Sequence, residues 1–144
     1  MLDRWTMAWL AVCAALALHL ADEVFNGSLG LYADFARVVG WVWPSIEMPP
    51  FQRDVWLINL AGTILVLFAL TRLVRRRSGV MVTASYLLAA FATANGVLHL
   101  LAAATLKSVI AGLWSAPLMI AAGLFLFLAI PHKRGDAGDS RATT

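Results

Sequence analysis

Residues 78–106 read SGVMVTASYLLAAFATANGVLHLLAAATL, a stretch of 29 residues that contains no Asp, Glu, Lys or Arg. An α-helix needs about 20 mostly apolar residues to cross the hydrocarbon core of a bilayer. This stretch therefore predicts a transmembrane helix that is tilted or that protrudes from the membrane. Three further runs without these charged residues lie at 5–21, 55–71 and 108–131.

The composition places the chain among integral membrane proteins. Of its 144 residues, 61% are hydrophobic and 13% are charged, and the mean hydropathy is +0.79. A soluble domain of this length cannot bury so much apolar surface. We therefore predict an all-α fold, a polytopic membrane four-helix bundle at residues 1–131 with a disordered cytoplasmic tail at 132–144. The spans are expected at about 5–25, 54–73, 79–105 and 112–130.

The distribution of Lys and Arg predicts the orientation. Eight of the 11 basic residues lie near the two termini or in the turn at 72–77, and three lie on the other side. Because basic loops stay in the cytoplasm, both termini are predicted to be cytoplasmic. The net charge of +3 reflects this signal, and we expect no nucleic-acid partner.

The connection between the first two spans, residues 26–53, is long enough to hold a helix of its own. Apolar residues repeat in it at i, i+4, i+7, i+8 and i+11, namely Leu31, Phe35, Val38, Val39 and Val42. This spacing predicts an amphipathic helix, which would lie in the outer membrane interface or cover the bundle as a lid.

Two polar clusters interrupt the apolar sequence, His19-Leu-Ala-Asp22-Glu23 and Asn95-Gly-Val-Leu-His99. In each cluster two polar residues are four positions apart, which places them on one face of a helix. Ionisable side chains are costly inside a membrane and mark functional sites there. The first cluster begins 15 residues after Arg4 and the second 18 residues after Arg77, or about 22 and 27 Å along helices of the same direction. We therefore expect the two clusters to meet in the outer half of the membrane.

Two kinds of chemistry suit these residue types. Imidazole and carboxylate groups are ligands for zinc, iron or manganese. The same groups also perform acid–base catalysis without a metal. The candidate metal ligands are His19, Asp22, Glu23 and His99. Of these, His19, Glu23 and His99 are also the candidate catalytic residues.

Other polar residues are predicted to support the site from its edges. Asn95 is expected to orient a ligand, as is Asn59, which lies 13 residues before Arg72 and just beneath the predicted layer. Trp114 and Ser115 are expected at its border. Each polar residue taken alone is also compatible with a structural role at the interface. The glycines at 62, 96, 112 and 123 are predicted to allow close helix contacts.

The two clusters resemble the motifs of the HXXEE family, a group of small bacterial integral membrane proteins. His19-Leu-Ala-Asp22-Glu23 follows the HXXEE pattern with aspartate in place of the first glutamate, and the pair Asn95 and His99 matches the second motif. The resemblance extends over roughly residues 8–130 and continues into Ala111-Gly-Leu-Trp-Ser-Ala, where Ala111 stands in place of an expected proline.

The resemblance implies a protein of the bacterial cytoplasmic membrane with a suspected enzymatic role. It places His19, Glu23, Asn95 and His99 in the site, and also Asp22, whose side chain is one carbon shorter than the family's glutamate. It supplies neither a substrate nor a reaction.

Three functions follow from the sequence. The leading hypothesis is an integral membrane enzyme that uses a metal ion and acts on a lipid or another apolar molecule. The second is a transporter or channel subunit for protons, metal ions or small solutes, which would need to form a homo-oligomer. The third is a membrane assembly protein whose polar cluster fixes helix packing.

Overall fold

The computed structural model describes residues 2–26, 41 and 52–131, and these residues form four helices and no strand. The helices are α1 (Arg4–Phe25), α2 (Arg53–Arg75), α3 (Gly79–Leu106) and α4 (Ala116–Ala129). The predicted all-α class is confirmed, and α1, α2 and α3 are long and apolar enough to span a membrane. The predicted interfacial helix and the predicted tail lie outside the described residues.

The fourth helix is shorter than the sequence predicts. It begins at Ala116 rather than at 112, and its 14 residues make it a shorter apolar helix than the other three. Lys107 and Gly112 adopt positive φ angles of 48° and 80°, which lie outside the right-handed α-helical region and interrupt the helix between them and α4. The segment between α3 and α4 is therefore non-helical, and it contributes directly to the site described below.

The first helix begins at a capping residue. Asp3 is the N-cap of α1, and its carboxylate accepts a hydrogen bond from the backbone N–H of Thr6 at 2.7 Å. This hydrogen bond lowers the pKa of Asp3 below its ordinary range, and the guanidinium of Arg77, 3.4 Å from Asp3 Oδ2, acts in the same direction. The contact joins the start of α1 to the turn between α2 and α3.

Close helix contact is confirmed for two of the four glycines. A Cβ on Gly96 would lie 2.6 Å from the carbonyl oxygen of Ala116, and one on Gly123 would lie 2.9 Å from that of Ala89. These contacts let α4 pack tightly on α3. The prediction is not supported for Gly62, where a Cβ would meet no atom of the described residues within 4 Å.

The helices pack unevenly. α4 lies against α3 and α1, whereas α2 packs mainly against α1 and makes only marginal contact with α3. Most of the core is filled by side chains of α1, α3 and α4, among them Trp9, Val12 and Met119, and Val74 joins it from α2. A gap consequently remains between α2 and α3.

Two buried tryptophans close one end of the bundle. The indole N–H of Trp5 donates to Ser85 Oγ at 2.9 Å, and that of Trp9 donates to the carbonyl of Leu67 at 3.0 Å. We call this group, Trp5, Trp9 and Ser85, the tryptophan end. It lies beside the start of α1, opposite the polar clusters.

Candidate metal centre

The structure brings three of the four predicted metal ligands together at the end of α1 and α3. Glu23 Oε1 lies 3.5 Å from His19 Nε2 and 3.5 Å from His99 Nε2. The two imidazole rings meet edge to face, with their centroids 4.7 Å apart. One ligand atom from each residue can be chosen so that all lie within 4.8 Å of one another. We call this group, His19, Glu23 and His99, the His–Glu–His cluster.

The cluster is almost wholly buried. Each histidine is 6% exposed, and the side chain of Glu23 is 12% exposed. The i, i+4 spacing places His19 and Glu23 on one face of α1, and His99 reaches them from α3. The meeting of the two sequence clusters, predicted from their depth, is confirmed.

The backbone carbonyl of Ala111 fixes the tautomer of His99. His99 Nδ1 lies 2.9 Å from that oxygen, which can only accept a hydrogen bond. Nδ1 therefore carries the proton, and in a neutral imidazole Nε2 is left with its lone pair. That lone pair is on the nitrogen nearest to Glu23.

A chain of hydrogen bonds fixes the tautomer of His19. Ser115 Oγ donates its one proton to Asp22 Oδ2 at 2.8 Å, or to the carbonyl of Gly112 at 3.2 Å. With its proton used, Ser115 Oγ must accept the hydrogen bond at its 2.8 Å contact with His19 Nδ1. Nδ1 of His19 is thus protonated as well, and its Nε2 holds a lone pair.

Asn95 contacts the same nitrogen of His19. Its side-chain Nδ2 donates to His19 Nε2 at 2.9 Å. The predicted role for Asn95 was to orient a histidine from outside the cluster. In the structure Ser115 and Ala111 occupy those positions, and Asn95 lies where an ion would approach His19. An ion that bound Nε2 would displace this amide.

The distances in the cluster fit a small metal ion. A tetrahedral ion with ligands at about 2.1 Å holds neighbouring ligand atoms about 3.4 Å apart. Both N–O separations, 3.5 Å, are close to that spacing, and all three ligand atoms lie within 4.8 Å of one another. Two neutral imidazole nitrogens and one carboxylate oxygen form a donor set found in zinc and non-haem iron sites. The His–Glu–His cluster could therefore hold a metal ion.

Gly112 lies against both histidine rings. A Cβ at this position would lie 2.5 Å from His99 Nδ1 and 2.8 Å from His19 Cε1, and the φ of +80° is one that other residues rarely adopt. Sequence reasoning assigned Gly112 to helix packing, which the structure corrects. It also missed Ala111, whose contribution is a backbone carbonyl and leaves no signal in side-chain chemistry.

Two predicted site residues lie elsewhere. Asp22 is directed away from the cluster: Oδ2 accepts hydrogen bonds from the N–H and O–H of Ser115, and Oδ1 accepts one from Asn26. It thus holds Ser115 rather than joining the three ligands. Asn59 is exposed and donates to the carbonyl of Val55 on its own helix, so the prediction that it orients a ligand is not supported.

An apolar cavity of about 200 Å³ adjoins the His–Glu–His cluster. Its walls come from α1, α2 and α3, and His19 and Glu23 form its polar end. The remaining lining residues are Leu16, Leu20, Leu60, Thr63, Ile64, Leu67, Leu88 and Phe91. The cluster is therefore open to an apolar space on the side of α2.

Comparisons of the chain with protein-family models, with curated proteins and with solved structures gave no match. The resemblance to the HXXEE family consequently stays a prediction. What the chain can do has to be argued from its own geometry.

Proposed function

We propose that this protein is an integral membrane enzyme that uses a metal ion held by the His–Glu–His cluster and acts on a lipid or another apolar molecule. One observation carries the proposal. Two imidazole nitrogens that hold lone pairs lie 3.5 Å from one carboxylate oxygen in a buried site, where Asn95 donates to His19 Nε2 and where a positive charge between the three acceptors would stabilise all of them. A metal ion supplies that charge and completes the geometry.

Some residues of the site would bind the ion, and others orient the residues that bind it. His19, Glu23 and His99 would bind the ion, while Ser115 and the Ala111 carbonyl keep the two imidazoles in the binding tautomer. Three protein ligands would leave an open position, where a zinc, iron or manganese ion would supply Lewis-acid chemistry to a substrate oxygen or a bound water.

The surroundings of the cluster favour an apolar substrate. Nearly all the walls of the adjoining cavity are hydrocarbon, and only His19 and Glu23 provide ionisable groups. Burial of this kind keeps bulk water away from the ion and strengthens its effect on a bound molecule. A charged or strongly hydrated substrate would lose its hydration there without finding other partners.

The opposite end of the bundle argues against a transport path. At the tryptophan end Trp9 is 1% exposed and Trp5 is 3% exposed, and both indole N–H groups are satisfied within the protein. A conducting path needs polar groups or water along its length. The polar groups of the cluster have no such continuation through the described core of this chain.

Elemental analysis of the purified protein tests the proposal. We expect zinc, iron or manganese near one equivalent in the wild type and its loss in His19→Ala and His99→Ala. His132→Ala removes the third histidine, which is outside the described residues, and should leave the metal content unchanged. The protein should be purified without a polyhistidine tag.

Two results would contradict the metal-dependent function. One is wild-type protein that contains no metal and takes up none of the three ions from buffered solutions. The other is metal content that is unaffected by either histidine variant. Flux into proteoliposomes that depends on Glu23 would favour the transporter instead.

We also propose that both termini face the cytoplasm of a bacterial cell, so that the cluster lies in the outer half of the membrane. The support is the concentration of basic residues in the turn at 72–77. Single cysteines placed in a Cys13→Ala background report the topology. An impermeant maleimide should label Ser108→Cys in intact cells and Gly79→Cys only after lysis, and the reverse pattern would contradict this orientation.

A further inference from the structure

We infer that the apolar cavity between α1, α2 and α3 is a binding site for one hydrocarbon chain of a lipid, whose oxygen-bearing head group lies against Glu23 and His19. This inference deepens the proposed function and rests on it for the reaction at the head group. The binding of the chain itself does not require a metal.

The lining of the cavity defines the chemical class of the occupant. Leucine, isoleucine and phenylalanine side chains form its length, and the ionisable groups are confined to one end. The one other polar lining residue is Thr63, whose hydroxyl already donates to the carbonyl of Asn59 at 2.8 Å. An amphiphile with an apolar chain and one polar terminus matches this arrangement.

The packing of the helices supplies the entrance. α2 makes only marginal contact with α3, and α4 packs on α3 and α1. Within residues 2–26 and 52–131, the gap between α2 and α3 is therefore left uncovered. In a bilayer that gap faces lipid. Phe91, which lines the cavity, is apolar and exposed. A lipid chain can therefore enter sideways from the hydrocarbon core, without passing through water.

The size of the cavity favours one chain. Pockets for drug-sized molecules are about 300–1,000 Å³. The cavity measures about 200 Å³. Part of one flexible hydrocarbon chain fits such a narrow space, and the rest of the lipid molecule remains in the membrane. A rigid multi-ring molecule would need the helices to separate.

Photolabelling tests the inference. The protein is reconstituted in phosphatidylcholine nanodiscs that contain a fatty acid with a diazirine on its chain, and labelled peptides are mapped after illumination. We expect labelling of cavity residues in α2 and α3 that unlabelled fatty acid competes away. Ile64→Trp fills the cavity and should reduce this labelling several-fold.

A neighbouring residue provides the matched control. Leu65 is 69% exposed and does not line the cavity, so Leu65→Trp should leave the labelling unchanged. Equal labelling in wild type and Ile64→Trp, or labelling that is not competed, would overturn the inference.

A second measurement identifies an occupant from the chain itself. A photoreactive benzoylphenylalanine in place of Phe91 should crosslink to lipid. Crosslinks to residues 27–51 instead would show that the protein's own segment fills the cavity, and would overturn the inference. Metal content is measured on the same samples. Competed labelling in metal-free protein would contradict the proposed function while it supports the chain-binding site.

Discussion

The two ends of the helix bundle both bury polar side chains, but they differ in how donors and acceptors are paired. At the tryptophan end each indole N–H meets one acceptor, and the donors and acceptors match. In the His–Glu–His cluster the outer nitrogens of both imidazoles are satisfied by Ser115 and Ala111. The inner nitrogens and the glutamate oxygen face one another as acceptors, and Asn95 donates to one of them, His19 Nε2.

The difference separates polar groups that hold a fold together from those that can bind something. A matched pair such as Trp5 and Ser85 stabilises the bundle and needs no further partner. A converging set of lone pairs could hold a cation. In a membrane protein, burial of polarity alone is therefore a weaker sign of function than burial of acceptors that face each other.

The largest effect is expected for Gly112→Ala. The new Cβ would overlap both imidazole rings, and alanine at a φ of +80° costs about 1–2 kcal/mol in backbone strain alone. We expect the affinity for metal to fall by more than about 100-fold, because neither histidine can keep its position. Metal titration followed by elemental analysis measures this loss.

Gly62→Ala is the matched control for that variant. A Cβ there meets nothing within 4 Å, and alanine is favoured over glycine within a helix by roughly 0.5–1 kcal/mol. Metal binding should be unchanged and thermal stability equal or slightly higher. Normal metal affinity in Gly112→Ala would show that the turn does not position the histidines.

Two serine substitutions, one at each end of the bundle, should have different effects. Ser115→Ala removes the partner of His19 Nδ1 and should weaken metal binding about 10–100-fold. Ser85→Ala leaves the Trp5 indole without its acceptor and should cost about 1–3 kcal/mol of stability with no change in metal affinity. Thermal unfolding and metal titration on both variants measure the two effects.

The contrast would fail if both serine variants lost stability equally and both kept metal. Ser115 would then be a packing residue like Ser85. Ser115→Thr, which retains a hydroxyl, should recover part of the metal affinity if the hydrogen bond to His19 is what matters.

The smallest effect is expected at the cap of α1. Asp3→Ala removes the acceptor for the Thr6 N–H and should lower stability by about 1 kcal/mol. Because the pKa of Asp3 is lowered in the folded protein, its ionised form stabilises the fold at neutral pH. That contribution is lost as the pH falls through the lowered pKa.

Asp3→Asn separates charge from capping. Its side-chain oxygen still caps α1, so stability at neutral pH should fall less than in Asp3→Ala, and the acid-dependent loss assigned to Asp3 should disappear. Thermal unfolding of the three proteins across acidic pH tests this. An identical pH profile in wild type and Asp3→Asn would contradict the role of the Asp3 charge.

The sequence was sufficient to predict the three long helices and the meeting of the ligands. Long uncharged runs predict α1, α2 and α3, and counting residues from Arg4 and Arg77 places the cluster at 19–23 and the cluster at 95–99 in one layer. Such predictions succeed because helical rise converts sequence distance into position. For Asn59 the sequence predicted only a depth, and the structure shows the residue on the exposed side of α2. Depth along a helix does not specify rotation about its axis.

The groups that hydrogen-bond to the two histidines could not be predicted from the sequence. The segment 107–115 looks like apolar transmembrane sequence, and only its backbone angles turn it into the element that provides the Ala111 carbonyl and the Ser115 hydroxyl. Asp22 has the chemistry of a ligand, and its role as the partner of Ser115 depends on where that turn lies.

The turn before α4 has a consequence for the order of assembly. The first three helices contain His19, Glu23 and His99, but the groups that set the histidine protons arrive only with the segment that follows α3. On the proposed function, strong metal binding therefore waits until α4 has docked. The ion would then bind after the bundle has formed, and bundle formation would not depend on the ion.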